Sequence, residues 1–201
     1  MESVNKFNLV HKKNIEYINI ESTDYSLVYY AFDLYTKCNC LYKYYSNNEN
    51  NFEANEIIYG LYIGNLNSVY DINGLKNEGI TEIISVIAGF EPPYPNDFNY
   101  LIINALDNEN TNLMKSFEKT NEFIQKAFYE NKKVLIHCQA GRSRSATILA
   151  AYLIKTFGMN SKTVLEIIKS KRSIIQPNKY FSKQLEEYYN YLIPKYDEID
   201  E

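Results

Sequence analysis

Hydrophobic runs long enough to cross a membrane are missing from this chain, since no stretch approaches the roughly 18 consecutive apolar residues of a span. Cysteine is scarce too. Its 3 thiols, Cys38, Cys40 and Cys138, are too few for a disulfide framework. With only His11 and His137 beside them, they cannot supply a four-ligand zinc site of ordinary spacing. Positive charge is not in excess: the formal net charge is −4, against the basic face that a general nucleic-acid binder carries. The opening residues Met1-Glu2-Ser3-Val4-Asn5-Lys6 lack a charged-then-apolar secretory pattern. Glu2 stands where myristoylation needs glycine, Asp197-Glu198-Ile199-Asp200-Glu201 has no prenylation cysteine, and no Asn-x-Ser/Thr sequon occurs. The expectation is a soluble intracellular protein of the cytoplasm or nucleus, using no metal and no cofactor. It has no nucleic-acid partner and no membrane span, and its oligomeric state stays open.

What is present is enough for one ordinary domain, at 201 residues and 45% hydrophobic. Residues 1–55 read as an N-terminal extension of undefined role, with a polar linker at Ser46-Asn47-Asn48-Glu49-Asn50-Asn51. From Ile57 to Ile63 the pattern fits a strand or short hairpin, and Ile80 to Ile87 a strand following a helix that ends near Gly79. Glu91-Pro92-Pro93-Tyr94-Pro95 is a loop, because proline removes donors and fixes the backbone. Phe98 to Asn104 is a further strand. Phe117, Thr120, Phe123, Ile124, Ala127 and Phe128 recur at helical spacing. Lys133-Val134-Leu135-Ile136 is a buried strand. It is followed by a helix from Ser145 to Phe157 with Gly158 at its C-cap. Ser161 caps another helix running through Lys169, and Tyr180 to Leu192 forms the last, closed by Pro194. Strands alternating with helices give an α/β fold with a central, largely parallel sheet flanked by helices.

The chemistry gathers in His137-Cys138-Gln139-Ala140-Gly141-Arg142-Ser143-Arg144-Ser145, between the apolar strand and the apolar helix. Ala140 and Gly141 are small enough for backbone N–H groups to converge on one point. The helix N-terminus adds its positive dipole end, making an anion cradle sized for phosphate. Arg144 carries a planar fork of donors that can grip two phosphate oxygens at once. Cys138 lies at the centre of that field, which favours a thiolate at neutral pH and hence a nucleophile for phosphoryl transfer. Gln139, Ala140, Gly141, Arg142, Ser143 and Arg144 are the candidate phosphate-binding set. Free cysteines are often simply buried at strand ends. A structural thiol has no need of two arginines and a glycine within six residues.

With those residues in place, the chain resembles the dual-specificity phosphatases of the protein tyrosine phosphatase superfamily, over roughly residues 56–193. Leu61-Tyr62-Ile63-Gly64 and Gly79-Ile80-Thr81 with Val86 look like the family's first two strands. Lys171-Arg172, Ile175, Pro177-Asn178, Phe181 and Gln184-Leu185 resemble its C-terminal signature. The resemblance implies a catalytic domain at 56–194 followed by an acidic tail at 195–201. It also implies hydrolysis of phosphotyrosine and phosphoserine/threonine in protein substrates, in two steps through a cysteinyl-phosphate on Cys138. It assigns Ser145 to stabilising the thiolate, His137 and Asn178 to supporting the loop, and Asp107 to protonating the leaving group. Glu109 is the fallback acid, and Asp97, before the strand, is expected to lie too far away.

Arg142 is open to two readings. One makes it a rim charge pointing outward; the other, as in lipid-directed members of the superfamily, a determinant for phosphoinositide, inositol phosphate or RNA 5′-end substrates. The outward reading is preferred. Lys171 and Arg172 either position substrate or form a solvated helix end. Cys38 and Cys40 suggest no redox motif, and the pairs Tyr29-Tyr30, Tyr44-Tyr45 and Tyr188-Tyr189 read as half-buried packing. The rival of a different class is a catalytically silent phosphate-binding module, which would be expected to have lost Cys138, Arg144 or the acid.

Overall fold

Apolar β-branched segments that read as buried strands must find partners on both edges, and here they build one 5-stranded sheet. The computed structural model describes residues 6–9, 18–21 and 52–197. β1 (Lys6–Leu9) and β2 (Ile18–Glu21) form a separate antiparallel pair. β3 (Ala54–Ile58) and β4 (Leu61–Gly64) make an antiparallel hairpin turned at Gly60, whose φ of 79° suits glycine. β5 (Ile80–Val86), β6 (Asn99–Ile103) and β7 (Lys133–His137) complete the sheet in the order β3-β4-β7-β5-β6. β4, β7, β5 and β6 are mutually parallel, so the expected largely parallel sheet is what forms.

The helices are α1 (Leu66–Tyr70), α2 (Ile72–Glu78), α3 (Met114–Tyr129), α4 (Arg144–Phe157), α5 (Ser161–Lys171) and α6 (Lys179–Asp197). Gly79 and Gly158 close α2 and α4 in the left-handed conformation, as glycine at that position allows. Two boundaries differ from expectation. The cap of α5 is Asn160, whose side chain accepts from Thr163 N at 2.9 Å, and Ser161 is already helical. Asn is at least as good a cap as Ser, and its extended backbone commits the helix one residue earlier. The last helix does not stop at Pro194 but continues to Asp197. Proline removes one donor there, and the carbonyl left over belongs to Asn190, an exposed residue, so the loss is small. Cys38, Cys40, His11 and the two N-terminal tyrosine pairs lie outside the described residues.

Each strand side chain is sorted to one face of the sheet. Val134 and Ile136 of β7 join Ile63, Ile84, Phe117, Leu149 and Phe181 under α3, α4 and α6. Leu135, between them, joins Tyr62, Ile83, Leu66 and Leu75 on the other face. Tyr188 is buried rather than half-exposed: its ring meets Phe117 edge-on at 5.0 Å, and its hydroxyl donates to Glu118 Oε1 at 2.8 Å. Among the described residues no helix is long and apolar enough to cross a membrane.

Because the central strands are parallel, their carboxyl ends lie along one edge. Gly64, His137 and Ser85 are in register there, with β7 between β4 and β5. Whatever follows His137 therefore emerges in the middle of the edge where α/β sheets bind ligands. Phe117 holds the helical layer against this sheet and is fully buried. Phe117→Ala should cost about 3–5 kcal/mol, read as a lower urea midpoint at unchanged slope.

Candidate active site

The chain leaves β7 at His137 and re-enters regular structure in α4 at Arg144, so Cys138 to Ser143 must turn within one loop at a helix N-terminus. Cys138 is 1% exposed and its Sγ lies 3.2 Å from Ser145 Oγ. Burial by itself pushes the thiol up. The Arg144 guanidinium, the Ser145 hydroxyl and backbone groups of Ser145 and Arg142 together outweigh it and hold Cys138 below its ordinary value. Arg144 is buried as well, donating through Nη1 to Ala105 O at 3.0 Å. Its Nε makes no hydrogen bond among the described residues.

Two features fix the loop from below. His137 is fully buried, with Nε2 at 2.7 Å from Ser85 Oγ and Nδ1 at 3.4 Å from Cys138 O. A carbonyl can only accept, so Nδ1 carries the proton and Nε2 accepts from Ser85. Burial pushes the imidazole down to about 3, the Cys138 carbonyl opposing this and Arg144 adding to it, so it stays neutral at physiological pH. Gly141 sits at φ 64°, and a Cβ there would stand 2.5 Å from Gly64 O and 2.8 Å from Arg172 Nη2. That Arg172 is buried, which excludes the solvated helix end. Its Nε donates to Gly141 O at 2.9 Å, Nη1 to Asn55 Oδ1 at 2.7 Å and Nη2 to Glu53 Oε1 at 3.2 Å. A buried guanidinium is stable only with acceptors of this kind, and two chain segments far apart in sequence supply them. Lys171, beside it, is exposed.

From above, Asp107 is brought to the same loop. Its Oδ1 accepts from Ser143 Oγ at 2.9 Å and from Asn178 Nδ2 at 2.8 Å, and its Oδ2 is 3.7 Å from Arg144 Nε. Asn178 does several things at once. Its Oδ1 accepts from Tyr180 N at 3.0 Å and Phe181 N at 2.9 Å, starting α6, and its own N–H donates to Ser143 Oγ at 3.2 Å. Glu109 accepts from the Tyr180 hydroxyl, and Asp97 pairs with Lys76 at 2.7 Å, away from the loop. Gln139 O accepts from Leu66 N at 3.2 Å, seating the loop on the start of α1, and Ala140 is exposed at the rim. Arg142 is exposed, and its guanidinium donates to Gln176 Oε1 at 2.7 Å and Ile174 O at 3.2 Å, directed to that neighbouring segment. The sequence reading missed Ser85, Tyr180 and the bracing role of Arg172. Of these only Arg172 carried a signal, its place in the C-terminal signature. Among the described residues no His, Cys, Asp and Glu cluster is arranged to hold a metal ion.

A buried, acid-shifted thiol at a helix N-terminus, beside a buried guanidinium with a free donor, defines the class: a cysteine-based phosphate site. Comparison with known proteins makes it more particular. Residues 61–191 match the family model described as dual specificity phosphatase, catalytic domain. Dual specificity protein phosphatase 1 of Arabidopsis thaliana is 39% identical over 128 residues, 64% of this chain and 65% of that protein. Dual specificity protein phosphatase 1B of the same plant is 37% identical over 136 residues, covering 68% of this chain and 81% of that protein. A Xenopus laevis protein phosphatase Slingshot homolog is 37% identical, but the match covers only 19% of its length. Among solved structures, the human tyrosine phosphatase-like serine/threonine/tyrosine-interacting protein superposes with a TM-score of 0.69. It is 34% identical, with 71% of this chain and 99% of that one covered. This chain belongs to the dual specificity phosphatase family.

Two outcomes follow from the bracing. Gly141→Ala combines a left-handed backbone with a Cβ against Gly64 and Arg172. Strain of ~1–3 kcal/mol in the loop should weaken inorganic phosphate binding roughly five- to hundredfold, measured by competitive inhibition. The lowered His137 value makes the unfolded chain the stronger proton binder between its ordinary pKa near 6.5 and about 3. His137 stability is therefore fully present above pH ~6.5 and lost as pH falls toward 3, at up to about 1.4 kcal/mol per pH unit. Denaturant titrations of wild type and His137→Gln should differ in slope with pH in that window and run parallel above it.

Proposed function

We propose that this chain is a dual-specificity protein phosphatase, hydrolysing phosphotyrosine and phosphoserine/threonine through a cysteinyl-phosphate intermediate. The observation that carries the reading is the meeting of Asp107 with the Cys138 loop through Ser143 and Asn178. A silent phosphate-binding module has no use for a carboxyl group held over a nucleophile.

In the first step the Cys138 thiolate attacks phosphorus while the bond to the leaving oxygen breaks. Arg144 Nε and the loop N–H groups hold the equatorial oxygens, where charge is spread in the transition state. Asp107 Oδ1 is already engaged by two donors, so the proton given to the leaving oxygen travels on Oδ2. In the second step water attacks the cysteinyl-phosphate, Asp107 takes its proton, and the thiolate departs toward the Ser145 hydroxyl. Inorganic phosphate and the starting enzyme remain, with every proton accounted for.

Substrates on this reading are phosphorylated proteins rather than phosphoinositides or RNA ends. Arg142, the residue that would favour the latter, spends its donors on Gln176 and Ile174. A reducing cytoplasm or nucleus is the proposed setting, since a thiol held below its ordinary pKa is easily oxidised elsewhere.

The test is turnover of an aryl phosphate against pH, with phosphotyrosine and phosphothreonine peptides alongside. Cys138→Ser should abolish turnover while retaining phosphate binding. Asp107→Asn should lower kcat by about 10²–10⁴-fold and remove the basic limb of the profile. A basic limb surviving in Asp107→Asn would move the acid elsewhere. Turnover of only one peptide class at a comparable rate would sink the dual specificity.

A further inference from the structure

The segment carrying Asp107 lies between the end of β6 and the start of α3, and such connections are usually free to move. Here it is tied along its length to the first turns of α6 and to Asn178, the residue just before it. At its near end Asn178 holds Asp107, and in its middle the Tyr180 hydroxyl donates to Glu109. At its far end both ends of the Gln184 carboxamide are engaged. Its Oε1 accepts from Leu113 N at 2.8 Å and Met114 N at 3.1 Å, and its Nε2 donates to Thr111 O at 2.9 Å. The two N–H groups are among the orphan donors that open α3, whose own cap position, Leu113, offers no side-chain acceptor, while Asn112 Oδ1 accepts from Lys115 N at 3.3 Å. A residue about 70 positions later in the chain thus caps that helix from outside, by the separations of 70 to 73 residues across these bonds. Within the segment, Asn108 Oδ1 accepts from Asn110 N at 3.1 Å and Thr111 Oγ1 at 3.0 Å, so it is a formed turn between the two anchors.

We infer that Gln184, assisted by Tyr180, is a positioning residue for proton transfer, holding the Asp107 segment over the phosphate loop before substrate arrives. Neither side chain touches the reacting atoms; both act through the segment. The inference rests on Asp107 being the acid. A displaced acid costs most where the leaving group most needs a proton, because orientation to within an ångström decides the transfer. A leaving group that departs readily as an anion is insensitive to it.

The experiment measures kcat/KM, which reports the first step alone, for a series of aryl phosphates of increasing leaving-group pKa, from 2,4-dinitrophenyl through 4-nitrophenyl to phenyl phosphate. Gln184→Ala is expected to lower kcat/KM on phenyl phosphate roughly tenfold or more, a part of the 10²–10⁴ that an acid supplies. The same variant should keep kcat/KM on 2,4-dinitrophenyl phosphate within about threefold of wild type, as the acid contributes little to that departure. Tyr180→Phe, which removes only a partly exposed hydroxyl, should move in the same direction by less, and it decides the matter if Gln184→Ala does not fold. Equal losses of kcat/KM across the series, or no loss, overturns the positioning role while Asp107→Asn remains selective for poor leaving groups. If Asp107→Asn is itself unselective, the acid assignment fails first and the inference falls with it.

Discussion

Taking a thiolate out of water is unfavourable, and Cys138 is almost wholly out of water. Left to burial, the sulfur would be a neutral thiol and a poor nucleophile. The balance is reversed by groups that cannot move away: a guanidinium in the next turn, a hydroxyl at 3.2 Å and converging backbone amides. This opposition between desolvation and a preset positive field decides what the surrounding structure must provide. The loop has to be rigid, because the field weakens steeply if its donors swing outward, and it has to stay open toward solvent on the side where phosphate enters.

Rigidity comes from the sheet edge beneath. His137 is neutral because it is buried, so it braces the loop without adding a charge that Arg144 would repel. Gly141 lets the backbone lie against Gly64 at a distance no side chain allows. Arg172 then secures the Gly141 carbonyl and spends its remaining donors on the β3 segment. The resulting order is hierarchical. β3 and β4 position Arg172 and Gly64, those position Gly141, and Gly141 sets the curvature that aims the amides at Cys138. Arg172 is thus a positive charge that belongs to the scaffold and not to the substrate.

Much of this was legible in the chain before any fold was known, for physical reasons that differ by residue. β7 and α4 stand out because a short β-branched run and an apolar helical period flank the motif, and both signals are local. Cys138, Gly141 and Arg144 follow from the motif's own spacing. Asp107 needed the family resemblance, since an isolated aspartate after a strand ordinarily caps a turn. Arg172 was misread as potentially solvated because burial of a charge depends on acceptors far away in sequence, here Glu53, Asn55 and Gly141. Ser85 was invisible as a functional group for the same reason, and Gln184 stood in the C-terminal signature with nothing to say which segment it holds. Their partners lie across the sheet edge and across two helices. The cap of α5 and the run of α6 past Pro194 erred by short distances, since exposed helix ends tolerate alternatives of nearly equal energy.

Ser143 and Asn178 show why acid and nucleophile are held in one unit. Ser143 sits in the phosphate loop and donates to Asp107, while Asn178 starts α6, supports Ser143 through its N–H and holds Asp107 through its amide. A shift of the loop would therefore displace the carboxyl group, and a shift of α6 would displace both. Arg144 closes the circuit from the other side, because the guanidinium that lowers the thiol also anchors Ala105, two residues before the acid. Nucleophile activation and leaving-group protonation share the same side chains. Perturbing either half should then disturb both, and kinetic effects within this set will not add.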